Sequence, residues 1–294
     1  MWLLTLFGCG EEHTLGTQID TSNMVEIATA DTTYRMGYPD LDPGPYNNHW
    51  KAYSKPQHDV TVSAFYLDKT EVTVEDYVEM LNDLVDYPST LERLVNPLMP
   101  LEYELEAGFT IKEGYENRPM NYVSWYEAAA YCAHIGKRLP FEAEWELAAK
   151  GADIENPRNV PWDTPGWSCH KAVYYTNETL CAERPEPVGT HPDGDTPDGI
   201  SDMAGNVSEW IFDWFAEYTE EAQTNPVGPE DGVYKILRGG GFRDSSDALR
   251  VNDRVLANPK SRSEGVGFRC AVSSSALSNS ASNSSSNSSG GGAQ

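Results

Sequence analysis

The sequence predicts one compact domain that mixes strands with a few short helices and much irregular but ordered loop. Three observations carry that expectation. An alternating stretch, HDVTVSAFYLDKTEVT, leads directly into a helical apolar face. Two further helices bring their own start and stop signals. The remainder, rich in Pro, Gly, Trp and Tyr, shows little periodicity. No internal repeat and no linker-like break interrupts residues 24–272, which favours one domain over two in a chain of 294 residues.

Each element has a physical reason. Apolar and polar residues alternate from Val60 to Leu67, the period of a half-buried strand. After Thr73, the residues Val74, Tyr77, Val78, Met80, Leu81 and Leu84 recur at helical spacing and make one apolar face. In SWYEAAAYCAHIG, Ser124 and Glu127 are spaced as a capping box, and Gly136 ends the helix. PFEAEWELAAKG predicts another short helix closed by Gly151. Eight Trp and sixteen Tyr supply bulky core material, with 39% hydrophobic residues overall. Loop-rich folds of this size generally need disulfides or metals to hold them.

The two ends read differently. MWLLTLFGCGEE places an apolar run and Gly8 before Cys9, which resembles the end of a bacterial lipoprotein signal whose cysteine is lipidated. Residues 1–9 are read as that signal-like segment, 10–25 as a polar tether, 26–272 as the domain and 273–294 as a tail. The apolar run is too short to span a bilayer as a helix. The tail is nearly all Ser, Asn and Gly and cannot bury enough apolar surface to offset its ordering entropy, so it is expected to be disordered. The expected location is extracytoplasmic, in a bacterial cell envelope, with membrane contact only through a lipid on Cys9. A formal charge of −25 argues against nucleic acid, whose phosphates need a basic footprint, and suits an exported surface and bound divalent cations.

Six strings then occur in order: YRMGYPD, PQHDVTVSAFYLDKTEVTVEDY, RPMNYVSWYEAAAYCAHIGKRLPFEAEWELAAKG, DGISDMAGNVSEWIFDW, ILRGGGF and GVGFRCA. Together they resemble the sulfatase-modifying-factor, or formylglycine-generating-enzyme, domain family over roughly residues 26–272. The resemblance implies a single α+β domain with a complex C-type-lectin-like fold. It departs from the family at Phe141, where a helix-capping Thr is usual. It also implies a disulfide between Cys132 and Cys270. With Cys9 assigned to a lipid, Cys169 and Cys181 remain as a plausible second bridge in an exported protein.

The resemblance also implies a Ca²⁺ site in DMAGNVSEW. Its ligands would be the Asp202 side chain, the carbonyls of Gly205 and Val207, and the Glu209 carboxylate, a hard-oxygen set of the kind calcium takes. The competing reading is that Asp202 and Glu209 bond local backbone in a tight turn. Family oxidases carry two copper-binding cysteines after the paired glycines, and soft thiolates hold Cu(I). Counted from the glycines, those positions fall near Leu249 and Arg254, and no cysteine lies between Cys181 and Cys270. Copper chemistry is therefore not expected.

The glycine run of LRGGGFRDSSDALRVNDR is not a phosphate loop, because no Gly-Lys-Ser/Thr comes after it. Charge takes that place: residues 238–269 hold seven basic side chains against four acidic ones. These read either as Arg–Asp pairs locking irregular loops or as a polar groove for an anionic or peptide ligand. Arg238 and Arg269 are the expected structural members; Arg250, Asn252, Asp253 and Arg254 are the groove candidates. The six His are scattered without metal-ligand spacing, and no Ser/His/Asp arrangement stands out. The expectation leans away from catalysis, towards an exported, lipid-anchored module that binds a ligand or partner (a peptide, a glycan or an envelope protein) or assists maturation. The alternative is a formylglycine-generating oxidase acting on a sulfatase cysteine, or another oxidative maturation enzyme.

Overall fold

A computed structural model describes residues 19–278, except 29, 39–52, 87–90, 92, 105–107, 154, 156 and 165. Cys9, most of the expected tether and residues 279–294 of the expected tail lie outside the described residues. The strands in chain order are β1 (Met24–Ile27), β2 (Thr32–Met36), β3 (His58–Val62), β4 (Phe65–Asp68), β5 (Leu101–Glu104), β6 (Gly108–Ile111), β7 (Ser208–Trp214), β8 (Gln223–Thr224), β9 (Lys235–Arg238), β10 (Val255–Ala257), β11 (Val266–Gly267) and β12 (Ala271–Ser273). The helices that build the domain are α1 (Val74–Asp83), α2 (Trp125–His134) and α3 (Glu142–Lys150); residues 274–278, the first part of the tail expected to be disordered, form a further helical turn.

The strands form four small sheets among the described residues, ordered β1-β4-β12, β10-β9-β7-β11, β2-β3-β8 and β5-β6. The expected single strand over Val60–Leu67 is two. The alternation slips by one residue at Ser63 and Ala64, both half-buried, so that Val60 and Val62 are buried in β3 but Phe65 and Leu67 in β4. There the chain changes sheets: β3 pairs with β2 and β8, whereas β4 pairs with β1 and β12. The corner is pinned from outside, since the Ser63 N–H donates to Asn225 Oδ1 at 2.8 Å and its hydroxyl to Asp31 Oδ1 at 2.7 Å. A one-residue slip exchanges the faces of a strand, and here it marks the corner between two sheets.

All three expected helices form. Thr73 and Asp76 cap α1 reciprocally, and Ser124 and Glu127 do the same for α2. At α3 the N-cap residue is Phe141, which offers no side-chain acceptor. Two carboxylates replace it. Glu144 accepts from the Phe141 N–H at 2.9 Å, and Asp213 reaches over from β7 to accept from the Glu142 N–H at 3.0 Å. A side-chain oxygen at a helix N-terminus satisfies an orphan backbone donor there.

The sheet β10-β9-β7-β11 separates two apolar clusters. Trp210 and Leu237 belong to the cluster containing α1 and α2, whereas the adjacent Ile211 and Ile236 belong to the one containing α3, β2 and β3. Alternation along the strands thus feeds both faces. Cys132–Cys270 ties α2 to the residue before β12 within the first cluster, and Cys169–Cys181 closes a separate loop.

Candidate functional site

The glycine run ends β9 and turns the chain beneath a cleft of about 720 Å³. Gly240 has φ +67°, and a Cβ there would stand 2.8 Å from Leu249 Cδ1 and 2.9 Å from the Ala248 carbonyl. Gly241 packs as closely, with Gly265 O only 2.8 Å from where a Cβ would lie. The glycines therefore serve close backbone packing at the cleft edge. The floor of the cleft is apolar, with Leu237, Val255 and Val266, and Tyr122 stands on its wall. Its charged lining consists of Asp244, Asp247, Asp253 and Glu264 against Arg243 and Arg262. Asp244 fixes the turn by accepting from the Gly241 N–H at 2.8 Å. Arg243 meets Glu264 at 3.2 Å, while Arg262 is held bidentately by Glu127 of α2.

The structure divides the four groove candidates. Asp253 lines this cleft. Arg250 is half-buried and pairs with Asp247 at 3.0 Å on the rim. Asn252 is fully buried and donates to the Gly37 carbonyl at 3.2 Å. Arg254 is buried, and its guanidinium grips Glu142 through two bonds of 2.6 and 2.8 Å while donating to the carbonyls of Tyr53 and Ala216. It borders a different hollow of about 580 Å³, shared with Glu142, Asp213 and Tyr218. Arg238 and Arg269 hold structural positions. Arg238 donates to Glu146 and to the Val251 and Asp253 carbonyls, and its Nε lies 3.2 Å from Glu142 as an ion pair. Burial pushes the Glu146 carboxyl up, but Lys150, Arg238 and the Gly37 N–H hold it below its ordinary range.

The calcium candidates run from the turn that begins at Asp202 into β7 at Glu209. Asp202 and Asn206 adopt left-handed φ of 60° and 58°, conformations that short polar side chains tolerate. Asp202 accepts from the Gly189 N–H at 2.7 Å. Glu209 is fully buried; Arg269 donates to both of its oxygens at 2.8 Å, and Trp145 Nε1 donates at 2.9 Å. As arranged, the Glu209 carboxylate faces a guanidinium, and a cation here would require Arg269 to release it. A residue that sequence reasoning passed over, Glu71, completes the cluster by accepting from Asn206 Nδ2 and the Val207 N–H. Burial, then Asp202 and Glu209, push the Glu71 carboxyl well above its usual range. Burial likewise raises Asp202. Among the described residues no group of three or more His, Cys, Asp or Glu is arranged to hold a metal.

Of the two positions counted from the glycines, Leu249 is fully buried with Trp162 and Tyr174, and Arg254 is the partner of Glu142. All four cysteines of the described residues are in disulfides. Two further tuned groups lie along β7 and β9. Lys235 Nζ donates to the Phe212 carbonyl at 2.6 Å and lies 3.8 and 4.0 Å from the ring centroids of Trp125 and Trp214. Burial lowers it to about 7, against the pull of Asp213. Burial and Glu142 push Asp213 up to about 8, against the Glu142 N–H.

The profile of the "Sulfatase-modifying factor enzyme 1-like domain" matches residues 15–274. The chain belongs to this family. The "Formylglycine-generating enzyme" of Streptomyces coelicolor is 39% identical over 182 residues, covering 57% of this chain and 56% of that protein. The "Serine/threonine-protein kinase Pkn1" of Chlamydia trachomatis is 35% identical over 226 residues, covering 74% of this chain and 34% of the kinase. The chain therefore spans about a third of that relative's length. The solved structure of "Treponema denticola variable protein 1" superposes with a TM-score of 0.61 at 24% identity, over 85% of this chain and 94% of that one. This likeness concerns the fold, which is the α+β, formylglycine-generating-enzyme-like architecture that the six strings imply.

Proposed function

We propose that this domain is a non-catalytic binding module whose cleft beside Gly240 and Gly241 holds an extended polypeptide segment bearing a cationic side chain. The observation that carries this reading is the cleft's own lining: four carboxylates against two arginines, over an apolar floor. Glu127, outside the cleft, already holds one of those arginines, Arg262. An anionic ligand would meet net negative charge there, whereas a lysine or arginine side chain would meet complementary charge. Polypeptide is favoured because the apolar floor and flanking backbone suit side chains and main chain together. The experiment is calorimetric titration of the intact chain with length-matched lysine-bearing and glutamate-bearing peptides. The lysine peptide should bind and the glutamate peptide should not. Asp247→Asn with Glu264→Gln should weaken binding roughly fivefold, the scale of about 1 kcal/mol for rim charges.

The oxidase reading draws its support from the 39% identity to a formylglycine-generating enzyme. It requires a copper site built without the expected thiolate pair, since no cysteine lies between Cys181 and Cys270. Calcium at Asp202, Gly205, Val207 and Glu209 is a separate proposal. It draws on the buried carboxylates of Asp202 and Glu209, close together in one segment, the second of which Arg269 already engages. A melting temperature that falls on chelation supports a cation there, and an unchanged one leaves Arg269 as the counter-charge. Export with lipidation at Cys9 is proposed from the signal-like start and the two disulfides; the mass of the cell-derived N-terminal peptide tests it.

A further inference from the structure

The two disulfides sit in opposite settings. Cys132 and Cys270 are fully buried among the side chains of α1 and α2. Cys169 is exposed and Cys181 half-buried, at the ends of a loop 12 residues apart. A thiolate must reach a sulfur atom in order to exchange with it, so the second bond is open to attack and the first is shielded.

The loop closed by that second bond is tied to the cleft wall. Tyr175 donates its N–H to the Asp244 carbonyl at 2.9 Å, pairs with Ser245 in a parallel bridge, and pairs with Leu180 across its own hairpin. The Cys181 N–H donates to the Tyr174 carbonyl at 2.9 Å. Cys181 also packs on Trp162, Tyr174 and Leu249 beside Ala248, which lines the cleft. On the other side, the Asn206 N–H donates to the Val173 carbonyl at 2.9 Å. The disulfide thus staples a hairpin that itself braces residues 244–249.

We propose that Cys169–Cys181 is a thiol–disulfide exchange site at which a dithiol reductant opens the loop and releases the cleft wall at Asp244–Leu249. One thiolate of the reductant attacks Sγ of the exposed Cys169 and expels the Cys181 thiolate. The reductant's second thiol attacks the mixed disulfide, displaces the Cys169 thiolate and leaves as the oxidised disulfide. Two electrons and two protons pass from the dithiol to the cysteine pair. The exchange stands whatever the cleft holds; only its consequence for ligand binding rests on the cleft reading.

The test exposes the intact chain to limiting dithiothreitol, traps thiols with iodoacetamide, and tracks amide hydrogen exchange at Tyr175, Asp244 and Ala248. Cys169 and Cys181 should be alkylated at least tenfold faster than Cys132 and Cys270, and the three amides should lose protection at the same time. The double variant Cys169→Ser, Cys181→Ser should show the faster amide exchange without reductant. Equal labelling of both pairs, or earlier labelling of Cys132 and Cys270, overturns the proposal. So does an open loop whose wall amides stay protected. If peptide titration fails while the loop opens as expected, the cleft reading falls and the exchange site stands.

Discussion

Replacing Arg254 with Met separates a scaffold arginine from a groove arginine. Arg254 is 2% exposed, and its fork meets both oxygens of Glu142, itself 4% exposed. Its Nη1 donates to the Tyr53 and Ala216 carbonyls, and its guanidinium lies 4.0 Å from the Tyr218 ring centroid. Met replaces the apolar stem but leaves the Glu142 carboxylate with only the more distant Arg238 Nε, at 3.2 Å. Breaking a buried pair from one side costs about 3–5 kcal/mol, because the other charge stays buried without its partner. The Ala216 carbonyl adds little, since Ala216 is exposed and can rehydrate. At roughly 2–4 °C per kcal/mol for a domain of this size, the melting temperature should fall by about 6–20 °C. The paired variant Arg254→Met with Glu142→Gln should recover much of that loss, and Arg254→Lys should fall between. Thermal unfolding measures all three. A melting temperature within about 2 °C of the parent, with peptide binding abolished, would refute the scaffold assignment and return Arg254 to a ligand groove.

The same contacts set four further outcomes. Opening Cys132–Cys270 by Cys132→Ser with Cys270→Ser should cost about 4–5 kcal/mol on the chain-entropy model for a separation of 138 residues, read by urea midpoint. Asp213 carries its proton more tightly when folded, near 8, than at its ordinary value of 3.8. Its contribution is therefore full below about pH 4 and is lost as pH rises towards 8, at up to about 1.4 kcal/mol per unit, and Asp213→Asn should flatten that part of the stability profile. Lys235 has the opposite sense. Its lowered folded value of about 7 against 10.5 disfavours the charged form, so its contribution improves as pH rises from 7 to 10.5, and Lys235→Met should remove that rise. Glu127→Gln frees Arg262 towards the cleft and should weaken a lysine peptide severalfold in the same titration.

The helices were legible because their information is local. The face running from Val74 to Leu84, the Ser124–Glu127 box and Gly151 all act within one or two turns of chain. The split of β3 from β4 left only a one-residue slip of the alternation at Ser63 and Ala64, and the change of hydrogen-bonding partner there depends on distant strands. Phe141 looked like a missing cap, but an acceptor comes from Asp213, 71 positions beyond Glu142, and no local pattern carries that link. The same limit applied to the arginines. Their density after the glycines was visible, but the carboxylates that engage them, Glu127, Glu142, Glu146 and Glu209, sit on α2, α3 and β7. Only the fold shows that these forks turn inward and leave a cleft lined mainly by acid. Glu71 was missed because a single carboxylate in a strand-to-helix turn carries no signal until Asn206 and Val207 fold onto it.

The central claim, binding without oxidative chemistry, meets its most direct test in oxygen uptake. The intact chain is loaded with copper(I) in the presence of a cysteine-containing sulfatase-type peptide, with aldehyde formation on the cysteine monitored by mass spectrometry. The account predicts no uptake above the protein-free control and an unmodified peptide. Catalytic turnover, with the cysteine converted to formylglycine, would contradict it.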